Sequence, residues 1–219
     1  EIGIPFSDPM ADGEVIQKTS LIAIQNGFNL EQCLHDIEHF KSSFPRIPIV
    51  IMSYVNPLIH FGMNDFLKRA ADSHVDGLLL VDVPAEHHST IIKTPTDIDM
   101  IRLITPTTTT QRLELIQSSA SGFIYYVSVK GITGSKTPDA NVIAGHLSLI
   151  ASKIQLPMVI GFGISDSTIA KEMATISDGV VIGSSFIKPF IDCPEKDFPK
   201  VIKNQLKFIH TISQSVNNA

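Results

Sequence analysis

Apolar residues along this chain follow two rhythms that alternate from one end to the other. Short unbroken apolar runs predict strands at 47–54, 77–81, 100–104, 122–127, 158–161 and 179–182. Between them, apolar positions recurring every three or four residues predict helices at 14–26, 30–42, 64–73, 111–119, 141–152, 165–175 and 198–213. In the second of these, Leu30, Cys33, Leu34, Ile37 and Phe40 share one face and read as core. Asn29 reads as the N-cap of that helix, and Gly27 as the end of the one before it. Apolar strands alternating with helices predict βα units and a parallel sheet covered on both faces.

Two architectures use that alternation, a closed (β/α)8 barrel and an open doubly wound sheet. The glycines separate them. Gly161-Phe162-Gly163 and Gly183-Ser184 end the last two strands, where barrels build phosphate sites from backbone N–H groups. A dinucleotide fold would carry G-x-G-x-x-G after its first strand, and that fingerprint is not present here. The expected fold is therefore an α/β TIM barrel, with residues 1–219 in a single domain.

At 219 residues, 43% of them hydrophobic, the chain is long enough to bury a sizeable core. Its net charge of −5, without a Lys/Arg cluster, argues against nucleic acid and against an anionic membrane surface as partners. No apolar run reaches the roughly 18 residues of a spanning helix. Cys33 and Cys193 stand outside any C-x-x-C spacing, so no disulfide framework or zinc ribbon is implied, and a cytoplasmic location is expected. His35-Asp36-Ile37-Glu38-His39 matches H-x-x-E-H. It falls on a helix expected outside the barrel, with no third ligand placed to join it, so no metal is expected there.

Candidate chemistry concentrates at the start of the chain, where Glu1-Ile-Gly-Ile-Pro5-Phe-Ser-Asp8-Pro-Met-Ala-Asp12-Gly13 places two carboxylates at either end of one segment. Glu1-Ile2-Gly3-Ile4 reads as the close of a strand. Ser7-Asp8-Pro9 and Asp12-Gly13 are turn chemistry, able to fold the chain back so that Glu1 and Asp12 share a pocket. The competing use of Asp12 is as the cap of a helix starting near Glu14. Gly134, Gly163 and Gly183 close three strand-to-helix loops, and Ser184 adds a hydroxyl. Together they suit a phosphomonoester held by backbone amides, although each glycine alone also fits a plain tight turn. Met52, Leu79, Val81, Tyr125 and Phe162 lie at or near strand ends, where pocket lining and core packing are equally open readings.

The stretch from Glu1 to Gly13 resembles, nearly residue for residue, the signature of the tryptophan synthase alpha subunit family. The likeness continues through Val81-Asp82-Val83-Pro84, Thr105-Pro106-Thr107-Thr108, Tyr126-Val127-Ser128, Gly131-Ile132-Thr133-Gly134, Gly161 to Ser165 and Asp178 to Ser184, and so covers the whole chain. It implies a barrel whose first strand, first helix and most of the second strand lie upstream of Glu1, which brings the six strands read above to eight. It implies retro-aldol cleavage of indole-3-glycerol phosphate to indole and glyceraldehyde 3-phosphate. In that chemistry Glu1 passes a proton to indole C3 and takes one from the substrate hydroxyl, Asp12 accepts the indole N–H, and Tyr125 assists beside Glu1. The phosphate falls to Gly134, Gly163, Gly183 and Ser184, and the indole to Met52, Leu79, Val81, Phe162 and Thr133.

The same resemblance implies no metal and no cofactor in this chain, because the indole ring is itself the electron sink. A lysine imine at Lys130 is the disfavoured alternative. Pyridoxal phosphate (PLP) belongs to a beta subunit, which Asp8 and the loop at Asn56-Pro57 face in an alpha2beta2 heterotetramer, and indole passes directly between the subunits. Some positions depart from the family pattern. Glu14 stands where Pro is usual, Thr94-Pro95 interrupts a helix, and Val129, Lys130, Ser135 and Lys136 replace residues that are often Arg-bearing. Those loop changes keep open a regulatory subunit that mainly activates its partner. Another phosphate-binding barrel enzyme would explain the late glycines but not the Glu-to-Asp segment.

Overall fold

The structure, a computed structural model, describes residues 1–127, 140–161 and 163–219. In chain order it contains β1 (Ile2–Gly3), α1 (Glu14–Gln25), α2 (Leu30–Ser43), β2 (Val50–Ser53), α3 (Val55–Phe61), α4 (Met63–Asp72) and β3 (Gly77–Leu80). There follow α5 (His88–Ile91), β4 (Asp99–Ile104), α6 (Thr110–Ser118), β5 (Ile124–Val127), α7 (Ala140–Ala151) and β6 (Met158–Gly161). The last elements are α8 (Ser167–Ala174), β7 (Gly179–Val181), α9 (Ser184–Ile187) and α10 (Phe198–Asn217). The periodicity located every predicted helix and strand, and local chemistry moved their ends. Gly122 adopts φ 72°, a turn conformation that delays β5 to Ile124. Asp166 caps α8 by accepting from Thr168 and Ile169 N–H at 2.9 and 3.0 Å, so that helix starts at Ser167. Those bonds to the charged form hold the Asp166 carboxyl below its usual range.

The described chain forms two compact units, the first gathering residues 1–9, 20–102 and 114–123. Here β1 to β4 pair in parallel and in chain order, with Ile2 opposite Ile51, Ile51 opposite Leu78 and Leu78 opposite Met100. On that face Ile51, Leu78, Leu80 and Met100 pack with Leu34 and Ile37 of α2, Leu58 of α3, and Phe66, Leu67 and Ala70 of α4. Each large side chain so buried contributes about 1.5–3 kcal/mol. The alternate row of Gly3, Met52, Leu79 and Ile101 faces away from these helices. β2 begins at Val50 rather than 47 because Ile49 N–H donates to the Asp76 carboxylate at 2.6 Å instead of to a neighbouring strand. The buried Lys41 ammonium grips the same oxygen at 2.8 Å.

Asn29 caps α2 as expected, accepting from Gln32 N–H at 3.0 Å. Gly27, at φ 77°, closes α1 with bonds from its own N–H to Ile24 and from Phe28 N–H to Ala23, the paired pattern of a glycine-terminated helix. Phe40 corrects the core reading, since it is 38% exposed and its ring packs on Phe44 at 5.0 Å. Asn56 and Pro57, read as loop, lie in the first turn of α3. A proline is accepted there because first-turn N–H groups have no intrahelical acceptor. His88 is half-buried and accepts a short hydrogen bond from Arg102, a β4 residue only 4% exposed. Arg102 also donates to the carbonyls of Val83 and Ser119, both at 3.3 Å.

The second unit gathers residues 10–19, 103–113 and 124–219. β5, β6 and β7 pair in parallel, with Val127 opposite Gly161 and Gly161 opposite Val181. Ile124, Tyr126 and Ile160 point one way, and the Tyr126 hydroxyl shares a 3.1 Å hydrogen bond with His146 Nδ1 of α7. Burial pushes the Tyr126 phenol up to about 12. Tyr125, Val127, Val159, Gly161 and Val181 face the other way, opposite the helix side. α10 packs on α8, burying Gln205 and Ile212. Among the described residues no helix is long and apolar enough to cross a membrane.

Candidate active site

In the first unit, Met52 and Leu79 stand directly opposite one another in the row that faces away from the helices. Val81 follows Leu79 by two residues and so shares its face, its N–H donating to Ser53 carbonyl at 3.0 Å. Leu79 is 1% exposed, whereas Met52 and Val81 are half-buried, as residues at a pocket wall would be. Glu1 precedes Ile2 and is exposed. Continuing the register places it opposite Val50, and strand alternation puts it on the same face as Gly3, Met52 and Leu79. Three indole-pocket candidates and the proposed acid–base residue thus share one sheet face.

Asp8 is exposed on the segment that leaves β1, and the Ser7 hydroxyl donates to its carboxylate at 2.5 Å. Asn56, also exposed, and Pro57, half-buried, sit at the start of α3. The Asp82 carboxylate accepts from Val55 N–H at 2.8 Å, capping that helix from the following strand end. In the sequence Asp82 stands out only as part of Val81-Asp82-Val83-Pro84. An Asp just after an apolar run was the available signal, without the register that shows which helix it reaches.

In the second unit, Asp12 is half-buried, and its backbone carbonyl accepts from the Gln17 side chain at 2.8 Å. Gly13 carbonyl accepts from Gln17 N–H at 3.0 Å, so Gly13 occupies the N-cap position of α1 and Asp12 precedes it. Asp12 thus stands one position before the N-cap.

Tyr125 is 7% exposed and lies over Gly161, so a methyl group built on Gly161 would fall inside the phenol, its hydroxyl oxygen nearest. Paired residues share a face, and Tyr125 reaches two residues along it, from its own partner Val159 to the end of β6. Glycine at 161 is required by that close approach rather than by a turn. Gly163 and Gly183 stand two residues beyond the paired Gly161 and Val181, at the carboxyl ends of adjacent strands. Gly163 adopts φ 75°, open to glycine at little cost. The exposed Gly183 accepts from Phe186 and Ile187 N–H at 3.0 and 3.1 Å as the cap of α9, and Ser184 opens that helix. The two turns are tied together where Ser185 hydroxyl donates to Ile164 carbonyl at 2.8 Å.

Gly134, Thr133, Phe162 and Lys130 lie outside the described residues. Among the described residues no group of three His, Cys, Asp or Glu side chains is placed to hold a metal. Glu38 of the H-x-x-E-H segment instead accepts from Arg69 at 3.1 Å, and Glu31 accepts from the same guanidinium at 2.8 Å.

A sequence profile described as Tryptophan synthase alpha chain matches residues 1–216. The tryptophan synthase alpha chain of Paraburkholderia phymatum is 39% identical over 218 residues, covering 99% of this chain and 80% of that protein. The crystal structure of tryptophan synthase subunit alpha from Legionella pneumophila str. Paris matches with a TM-score of 0.87 at 27% identity, over 99% of this chain and 80% of the other. A chain in a structure of the tryptophan synthase a2b2 complex from Pyrococcus furiosus matches with a TM-score of 0.80 at 29% identity, over 97% and 84%. Likeness over this length shows the TIM-barrel class for the chain.

Proposed function

Because this chain belongs to the tryptophan synthase alpha chain family, we propose that its lyase role in tryptophan synthesis is the retro-aldol cleavage of indole-3-glycerol phosphate. The observation that carries this reading is the arrangement at the β5–β7 strand ends, with the Tyr125 phenol over Gly161 and the Gly163 and Gly183 turns one step beyond it. A phosphate seated on the amides of those turns and on the Ser184 hydroxyl would leave the rest of the substrate to extend along the face of β5 to β7 that carries Tyr125 and Gly161.

The Glu1 carboxylic acid adds a proton to indole C3, giving an iminium-like ring. The C–C bond to the glycerol carbon then breaks, its electron pair returns to the ring, and the Glu1 carboxylate removes the hydroxyl proton as the aldehyde forms. The products are indole and glyceraldehyde 3-phosphate, and the proton count closes on one carboxyl group. Asp12 accepts a hydrogen bond from the indole N–H and offsets positive charge as it develops, help that exists mainly in the transition state. Tyr125 is assigned to holding the ring. The indole is assigned to Met52, Leu79, Val81, Phe162 and Thr133, and Gly134 to the phosphate set.

The alpha chain needs no cofactor itself, and it partners a beta subunit that carries PLP. We assign Asp8, Asn56 and Pro57 to that interface, a cytoplasmic location to the enzyme, and a single domain to residues 1–219, since the family match runs unbroken across both units. The test is indole release by the full chain, alone and with beta subunit. Glu1→Gln and Asp12→Asn should each lower turnover by about 10²–10⁴ while glycerol 3-phosphate still binds. Wild-type turnover in either variant would overturn the mechanism.

A further inference from the structure

The long helix α10 buries one stripe, and in the middle of that stripe stands Gln205, 7% exposed. A polar side chain at such a position needs a partner, or its burial is costly. Its amide Nε2 donates to Phe186 carbonyl at 2.6 Å and to Ser185 carbonyl at 3.4 Å, both in α9. For Ser185 the reason the carbonyl is available is local. The intrahelical donor to Ser185 would be residue 189, four positions on, and Pro189 has no N–H. At Lys188 the α-helix gives way to a 3-10 turn over Lys188–Phe190, and the Gln205 amide reaches the Ser185 carbonyl at 3.4 Å while making its closer bond, 2.6 Å, to Phe186.

We propose that Gln205 is a positioning residue for the phosphate-binding turn at Gly183 and Ser184, acting from the carbonyl side of α9. This rests on the assignment of the phosphate to that turn made above. α9 is four residues long and is pinned at two places, by Gln205 on its carbonyls and by Ser185 hydroxyl on Ile164 carbonyl. Peptide units in one helical turn move as a block, so holding Phe186 and Ser185 carbonyls also fixes where Ser184 presents its N–H and hydroxyl. Without the Gln205 bond α9 loses one of these two side-chain hydrogen bonds, and its carbonyl end can shift about the Ser185 tie. A displacement of about 1 Å at a substrate-holding group is enough to weaken its grip severalfold or more.

Glycerol 3-phosphate is the probe, and Gln205→Met the main variant, since methionine fills similar space and donates nothing. Gln205→Lys keeps a donor. In the full chain the methionine variant should bind glycerol 3-phosphate about tenfold more weakly and show a correspondingly raised KM for indole-3-glycerol phosphate. Its kcat should stay within about twofold, and the lysine variant should recover most of the affinity. If the methionine chain fails to fold, Gln205→Glu serves, because above its pKa a carboxylate of the same shape cannot donate. Weakened binding in that variant at pH 8 supports the role. Wild-type affinity in the Met or Glu variant, even with a lowered denaturation midpoint, would reduce Gln205 to a packing residue and overturn the inference. Absence of glycerol 3-phosphate binding in the unmutated chain would instead bring down the phosphate assignment, and this role with it.

Discussion

Tyr125 and Gly161 form a pair in which one residue has a ring because the other has no side chain. A methyl group at 161 must displace the phenol or the strand, an overpacking that costs roughly 1–3 kcal/mol. Gly161→Ala should therefore lower the denaturant midpoint, and adding Tyr125→Leu, which removes the colliding atoms, should recover most of it. Unfolding curves for the four chains of that cycle would show strong coupling, and additive effects would mean the two sites are independent. Gly161 was visible in the sequence only as one of several strand-end glycines. Its role depends on parallel register, which pairs Val127 with Gly161 and so lets Tyr125 reach the end of the neighbouring strand. Gln205 left a clearer trace, a lone amide on the buried stripe of an otherwise amphipathic helix, but its target α9 lies about twenty residues upstream.

At the scale of elements, periodicity located the strands and the longer helices, while the short ones escaped it. α3 was hidden by Asn56-Pro57, and α5 and α9 are single turns too brief to show a period. α5 ends before Thr94-Pro95, where a helix break was expected, and it is held to β4 through His88 and Arg102. Burial and, secondarily, the neighbouring guanidinium keep the His88 imidazole below its usual pKa of 6.5. The unfolded chain then gains a proton that the folded chain resists. The contribution of His88 to stability is full above pH 6.5 and is lost as pH falls from there toward the lower folded value. His88→Gln keeps an acceptor for Arg102 without titrating, so its denaturant midpoint should change less than that of the wild type between pH 7.5 and 5.5. Identical pH profiles for the two would show that the histidine is not linked to folding.

For the molecule as a whole, the consequential surface is the one assigned to the beta subunit, with Asp8 exposed after β1 and Asn56 exposed on α3. Reversing the charge with Asp8→Lys should raise the beta-subunit concentration needed for half-maximal activation about tenfold, or 1.4 kcal/mol. The alpha reaction measured alone should stay unchanged, and a titration of indole release against beta subunit reads both. The order of apolar runs and helical faces by itself determined the βα alternation and the class of fold, because a strand covered on both faces and a helix covered on one can bury their apolar residues in few ways. The Glu1-to-Asp12 segment and the late glycines likewise named the family and the candidate groups without any coordinates. Only tertiary structure decided that Gly161 yields to Tyr125, that Asp82 caps α3, that His88 lies against Arg102 and that Gln205 holds α9. Each of these joins residues far apart in sequence or on different strands, and such meetings are set by register and packing, to which local periodicity is blind.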